Sequence, residues 1–277
     1  MLVLDLIYCY DIGMTVSGRG GSMAVYVVSD LHGYYDAFLE GLKKIDLKPS
    51  DRLYVIGDAI DRGDDGVKLL LYIKNHKNMD LLIGNHELFM LNSVAPDGKN
   101  HCVGKDTILW LYFNGGDTTF EEYAKRQIKT RRNLLAWLRE RFVMKTLEVN
   151  GRKFCLTHSY YIEGQENRKL SEMDPRDVWS IVWRSMFRDD GHTSGEDIYG
   201  KYDYCFVTGH VPVLRVMREF GGDAEYNELA PYRRGNLIDI DGGCAYGYDM
   251  GLHNGLIFLR LDDMEVFTVP LYDTIPA

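Results

Sequence analysis

The chain has 277 residues, 45% of them hydrophobic and 26% charged, enough to bury a sizeable core in one large domain or two small ones. A formal charge of −9 and a pI near 5.4 argue against non-specific binding to nucleic acid or acidic membranes, which needs a basic field. Any phosphate-bearing substrate would have to find local positive charge, from a metal or from arginine.

Residues 1–22, MLVLDLIYCYDIGMTVSGRGGS, start apolar but carry Asp5 and Asp11, lack an early basic residue, and hold no run long enough to span a bilayer. They read as an N-terminal extension, either a peripheral strand or a leader before a natural start at Met23, with SGRGGS as a linker. Residues 23–277 then form a single domain. AVYVVS (24–29) is a short buried-strand pattern, and YYDAFLEGLKKI (34–45) places apolar residues at helical spacing. RLYVIG (52–57), a helix through GVKLLLYIKNH (66–76), MDLLIG (79–84) and a helix from about His86 follow. This alternation predicts βαβ units and a parallel sheet covered on both faces.

Residues 92–141 read as a helical insertion built from DTILWLYF, TTFEEYAKRQI and RRNLLAWLRERF; the arginines near 131–141 read as a solvated helix surface rather than a docking face. A hairpin follows, FVMKTLEV and RKFCLT about the turn Asn150-Gly151. Residues 160–202 are irregular except for a helix over DPRDVWSIVWRSMF, with Pro175 at its start. Strands are then predicted at DYCFVTG, VLRVMREF, NLIDID, GLIFLRL and MEVFTVPLY. Cys9, Cys102, Cys155, Cys205 and Cys244 are odd in number and never spaced C-x-x-C, so free buried thiols in a reducing cytosol are expected.

The strand ends carry the chemistry. Ser29-Asp30-Leu31-His32-Gly33 closes the first, Gly57-Asp58-Ala59-Ile60-Asp61-Arg62-Gly63 the second and Gly84-Asn85-His86-Glu87 the third. Thr157-His158 and Gly209-His210 close two later ones. Each alone is an ordinary polar loop, cap or core histidine, and Asp61-Arg62 an ordinary surface ion pair. Five strand ends in succession bearing oxygen and imidazole donors are not a core pattern. They suit a divalent-metal site where ligands bind α/β sheets, outside the carboxyl ends of the strands. On extended backbone, Asp30 and His32 would point to one side.

In this order, D-x-H, G-D-x-x-D-R-G, G-N-H-E and two later histidines resemble the signature of the phosphoprotein phosphatase family, within the calcineurin-like metallophosphoesterases. The resemblance runs from about residue 25 to about residue 260, and Trp110-Leu111-Tyr112-Phe113-Asn114-Gly115-Gly116 is further similar to the small bacterial and phage members. It implies an α/β fold, a β-sandwich of two mixed sheets flanked by helices in four αββα layers, with the helical insertion at about 92–141. It also implies two divalent ions, one held by Asp30, His32 and Asp58 and the other by Asp58, Asn85, His158 and His210, with Asp58 bridging. Manganese, iron and zinc all suit this mixed donor set, manganese being the first expectation. In such a centre a metal-activated hydroxide attacks phosphorus in line. The resemblance assigns Arg62 to clamp phosphate, His86 to act as general acid and Asp61 to orient His86. A second clamp falls on Arg184, with Arg188 as the alternative.

Hydrolysis of phosphomonoesters on serine and threonine of cytoplasmic phosphoproteins is the first expectation. Pro212 stands where many diesterases of the superfamily carry a further histidine ligand, and Arg62 suits a dianionic phosphate. The alternative is symmetrical hydrolysis of diadenosine tetraphosphate by a branch with nearly the same site, which commonly has Asp where this chain has Glu87. A third reading, a metal-binding scaffold without catalysis, predicts damage at His86, Asp61 or Arg62, and all three are intact. The expected partner is thus a phosphoprotein or a dinucleoside polyphosphate, not a stable nucleic acid or a membrane.

Overall fold

The computed structural model describes residues 23–187, 199–220, 229–248 and 253–271. The expectations for residues 1–22, Cys9 and Arg188 fall outside them. Strands β1 (Val25–Val28), β2 (Arg52–Val55) and β3 (Met79–Leu81) run parallel, with Val25 opposite Arg52 and Leu53 opposite Met79. All four residues of β1 are buried, as a strand covered on both faces requires. The crossovers are α1 (Tyr35–Lys44), which buries Ala37 and Phe38, and α2 (Gly66–Asn75), which buries Val67, Leu69, Leu70 and Ile73.

The βα alternation is thus parallel as expected, and the sheet it builds is mixed. The antiparallel strands β9 (Gly255–Arg260) and β10 (Val266–Pro270) extend it, giving the order β10-β9-β1-β2-β3. A second mixed sheet contains the hairpin β4 (Met144–Val149) and β5 (Arg152–Thr157), then β6 (Cys205–Thr208), β7 (Tyr232–Arg234) and β8 (Leu237–Asp239), ordered β4-β5-β6-β8-β7. The hairpin turns at Asn150 and Gly151, both at positive φ, as a two-residue turn of the favoured twist requires. One hydrophobic cluster runs through both sheets, from Val27 and Val55 to Leu156, Phe206 and Ile238. Two mixed five-stranded sheets flanked by helices are the architecture that the resemblance implied.

The described residues also form α3 (Asn85–Ser93), α4 (Gly116–Lys125), α5 (Ile128–Arg139), α6 (Pro175–Trp183) and α7 (Val213–Phe220), with a π-helical turn at Leu109–Phe113. α6 starts where Asp174 accepts from Arg176 N and Pro175 takes the first position. α7 corrects the strand expected over residues 213–220. Val213, Leu214, Val216 and Met217 are buried while Arg215, Arg218 and Glu219 are exposed, a helical period rather than an alternation. Strand β7, three residues with no apolar alternation, was not expected at all. Arg131 is likewise not solvated. It is buried and donates to the carbonyls of Gly98, Ala124 and Arg126, tying α5 to the end of α4 and to an earlier loop.

Among the described residues no disulfide joins the cysteines; Cys155 and Cys244 are buried, whereas Cys102 and Cys205 are half-buried. No described helix is long and apolar enough to cross a membrane. β1, β2 and β3 share one direction, and β5, β6 and β8 are parallel to one another. Hydrogen bonds link the carboxyl ends of the two sets, His158 Nδ1 to Ile56 O and His210 N to the Asp30 carboxylate. Every residue singled out for chemistry except Arg184 lies in the loops or the helix start just beyond these ends.

Candidate metal centre

The loops after β1 and β2 are laced together: Asp30 N donates to Gly57 O at 3.1 Å, His32 N to Asp58 O at 3.0 Å and Gly33 N to Ala59 O at 3.0 Å. The backbone is not extended here, as the D-x-H spacing suggested. Asp30, His32, Asp58, Asp61, Arg62 and His210 all lie in the left-handed region, with φ between 44° and 73°. Such residues cost roughly 1–3 kcal/mol each and persist only where surrounding structure over-determines them. Asp and His tolerate the region better than most residues, which is one local reason for their use in these turns.

Close backbone approach completes the loops. A Cβ on Gly84 would sit 2.2 Å from Asp58 Oδ1, and one on Gly209 would sit 2.2 Å from Asp30 Oδ2. Both positions need glycine for space rather than for torsion. Glu87, fully buried in the first turn of α3, accepts from the backbone N–H groups of Asp58, Ala59 and Gly84 at 2.8–3.0 Å. Its carboxylate therefore shapes the loop carrying Asp58 and faces into the protein.

The donor atoms converge in two groups. His32, Asp58 and His86 form one and Asp58, His158 and His210 the other, the ligand atoms of each lying within 4.8 Å of one another. Asp58 is common to both. Its Oδ2 lies 3.3 Å from His158 Nε2 and 3.8 Å from His86 Nε2, while its Oδ1 accepts from His86 N at 3.0 Å. Asn85 Oδ1 stands 2.9 Å from both His158 Nε2 and His210 Nδ1. Asp30 sits to one side, its Oδ1 4.0 Å from His32 Nε2 and its Oδ2 bonded to Ser29 Oγ and His210 N.

These residues fit divalent cations. His32 Nδ1 and His158 Nδ1 face the carbonyls of Ile60 and Ile56 at 3.1 and 2.9 Å, an arrangement that presents each Nε2 to the centre. The 4.0 Å gap between His32 Nε2 and Asp30 Oδ1 is too wide for a hydrogen bond and about twice a metal–ligand bond. Around Asn85 Oδ1 two imidazole nitrogens meet one amide oxygen, a crowding of lone pairs that positive charge relieves. The buried groups also perturb one another's charge strongly. Burial pulls His158 down, but Asp58 outweighs it and holds the imidazole up at about 10. Burial and then the charge on His158 push His210 down to about 3. Burial also opposes ionisation of Asp58, yet the rings of His158 and His86 hold it well below the usual carboxylate range.

His86 occupies the start of α3 and gives Nδ1 to Asp61 Oδ2 at 2.6 Å. Burial works against its charge, but Asp58 and then Asp61 raise it above the ordinary imidazole value. Asp61 in turn takes a hydrogen bond from the fully buried Trp110 Nε1 at 2.8 Å, and its backbone N–H donates to Thr119 Oγ1 at 2.9 Å. The segment read as a helical insertion is thus the wall that holds Asp61. Arg62 is exposed beside it, its N–H bonded to Gly115 O at 2.9 Å. Arg184, the residue closing α6, is exposed and lays its guanidinium over the Tyr160 ring at 4.3 Å. Its carbonyl accepts from Ser159 Oγ, which places it one residue from His158 in the adjoining loop.

Sequence reasoning missed Asp241, at the carboxyl end of β8. It is buried, bonded through Oδ1 to Gly243 N at 2.8 Å, and after burial it is the next cause lifting Asp30 well above the usual carboxylate range. The sixth parallel strand ending in an acidic pair, Asp239 and Asp241, was the available signal. Trp110 stood out only within the segment similar to the small bacterial and phage members, and Thr119 not at all, because their bonds to Asp61 depend on the packing of α4 and the π-helical turn.

Residues 23–240 match the Calcineurin-like phosphoesterase family. A protein of Klebsiella pneumoniae named bis(5'-nucleosyl)-tetraphosphatase, symmetrical, is 34% identical, the similarity covering 90% of this chain and 95% of that one. A protein of the same name from Chromobacterium violaceum is 32% identical with the same coverage. Among solved structures, a protein serine/threonine phosphatase from Saccharomyces cerevisiae superposes with a TM-score of 0.55 at 16% identity, covering 90% of this chain and 79% of that one, a likeness of fold. With its strand-end ligand loops and this match over most of its length, the chain is a calcineurin-like metallophosphoesterase, a hydrolase of phosphoric ester bonds.

Proposed function

We propose that the centre hydrolyses dinucleoside tetraphosphates symmetrically, giving two nucleoside diphosphates. The observation that carries this reading is the full-length similarity, at 32% and 34% identity, to two proteins named for that activity. It replaces the first expectation, a serine/threonine protein phosphatase, with the alternative. Glu87 was the residue leaning toward protein phosphatases, but its buried carboxylate accepts from the backbone N–H groups of Asp58, Ala59 and Gly84 and faces into the protein. Its identity therefore carries no weight on substrate choice.

In this reading Asp30, His32 and Asp58 hold one divalent ion and Asp58, Asn85, His158 and His210 the other, manganese by first choice. Such ions supply charge that acidifies a water and neutralises phosphoryl oxygens. Arg62 and Arg184 bind and orient the polyphosphate, because a planar guanidinium matches phosphate and keeps its charge. The water oxygen joins one inner phosphorus, the bond from that phosphorus to the central bridging oxygen breaks, and that oxygen leaves with the second nucleoside diphosphate. His86, whose charged form Asp58 and Asp61 favour, gives its Nε2 proton to the departing oxygen.

The test is chromatography of products from diadenosine tetraphosphate with Mn²⁺. ADP alone is expected, with turnover abolished by chelator. AMP with ATP, or turnover of a phosphopeptide without turnover of the tetraphosphate, would defeat the proposal.

A further inference from the structure

Beyond His210 the chain enters α7 directly, and Val213 N donates to Asp241 O at 2.9 Å, fixing the helix start against the β8 loop. α7 turns Leu214, Arg215 and Arg218 toward the turn Cys244–Tyr246, and these residues with Tyr246 line a cavity of about 240 Å³. Arg215 and Arg218 are exposed, and Tyr246 is 41% exposed. Arg215 Nε pairs with Glu219 at 3.7 Å, open to solvent, where such pairs are worth little. In a chain of charge −9, two arginines on one helix face around a tyrosine form a local basic patch.

The cavity adjoins the metal centre. The Tyr246 ring lies against Gly243, where an added Cβ would sit 3.1 Å from its Cδ2, and Gly243 N donates to Asp241 Oδ1 at 2.8 Å, while α7 begins three residues after His210. Two residues after Tyr246, Tyr248 packs edge-on against Tyr34 at 5.4 Å, and Tyr34 is two residues from His32. A Cβ on Gly247 would sit 2.9 Å from Tyr34 Oη, so the loop after His32 meets the segment that carries Tyr246. At about 240 Å³ the cavity is smaller than the roughly 300–1,000 Å³ of a whole small-molecule site, so it suits one end of a ligand whose middle lies elsewhere.

We propose that this cavity is a subsite for one nucleoside diphosphate end of the substrate, Arg215 and Arg218 binding its phosphates and Tyr246 stacking on its base. The inference rests on the dinucleoside polyphosphate reading. Guanidinium forks pair with phosphate oxygens in a bidentate manner, and an aromatic face stacks on any base.

The experiment is calorimetric titration of ADP, and separately of inorganic phosphate, into Mn²⁺-loaded wild type, Arg215→Ala/Arg218→Ala, Tyr246→Ala and Tyr246→Phe. Matching circular dichroism and Tm would confirm that the variants fold. ADP affinity should fall about tenfold or more in the double variant and about fivefold or more in Tyr246→Ala, with Tyr246→Phe restoring it. Phosphate affinity should change less than twofold. The ratio of kcat/KM for diadenosine tetraphosphate over p-nitrophenyl phosphate should fall in step with ADP affinity. ADP affinity within twofold of wild type in both alanine variants overturns the subsite, even if the tetraphosphate is hydrolysed. Equal weakening of ADP and inorganic phosphate also overturns it, since the arginines would then act on the metal centre. If wild type leaves the tetraphosphate intact but ADP binding still depends on Arg218 and Tyr246, the subsite stands and the substrate proposal falls.

Discussion

Replacing Trp110 with Phe tests whether the wall behind Asp61 governs the acid on His86. The indole is fully buried and its Nε1 donates to the same Asp61 oxygen that holds His86 Nδ1. Losing a hydrogen bond to a charged, buried acceptor costs about 1.5–3 kcal/mol. The smaller ring leaves a void that adds about 1 kcal/mol. The sum, about 2.5–4 kcal/mol, lowers Tm by roughly 5–15 °C for a chain of this size. Asp61 loses a fixed partner, so the His86 ring is less tightly aimed. General acids contribute about 10²–10⁴-fold, and imperfect aim should forfeit roughly tenfold of that where the leaving group is poor. Calorimetry gives the first quantity. The second is the slope of log(kcat/KM) against leaving-group pKa for a series of aryl and alkyl phosphates, which should steepen. A Tm within a degree or two of wild type together with an unchanged slope would refute the argument, because the Trp110–Asp61 bond would then be energetically idle.

His86→Ala should retain metal by elemental analysis yet lose about 10²–10⁴-fold in turnover of alkyl phosphates, and much less for p-nitrophenyl phosphate, whose leaving group needs no proton. Equal losses on both would remove His86 from the role of acid. Asp58→Asn should weaken loading of both ions together, since Asp58 belongs to both donor groups; stepwise loading with one site intact in a manganese titration would argue against bridging. Gly84→Ala should destabilise the fold and lower metal affinity at once, because the added Cβ meets Asp58 Oδ1 at 2.2 Å. Wild-type stability with full loading in that variant would show that the loop yields without cost.

By itself the sequence determined the donor types at five strand ends, the βα alternation before residue 92 and the Asn150-Gly151 hairpin, because each depends on neighbours within a few residues. Its periodicity could also have placed α7, whose apolar residues recur at helical spacing; reading VLRVMREF as a strand weighed β-branched content over period. Only the tertiary structure decided what those donors meet. Trp110 and Asp61 are 49 residues apart and His210 N and Asp30 are 180 apart, so no local pattern announces either bond. The same holds for Asp241 behind Asp30 and for the inward turn of Glu87. Short-range spacing encodes which groups are offered, whereas the left-handed loops, the shared carboxylates and the burial that shift their charge arise only when two sheets bring six strand ends together.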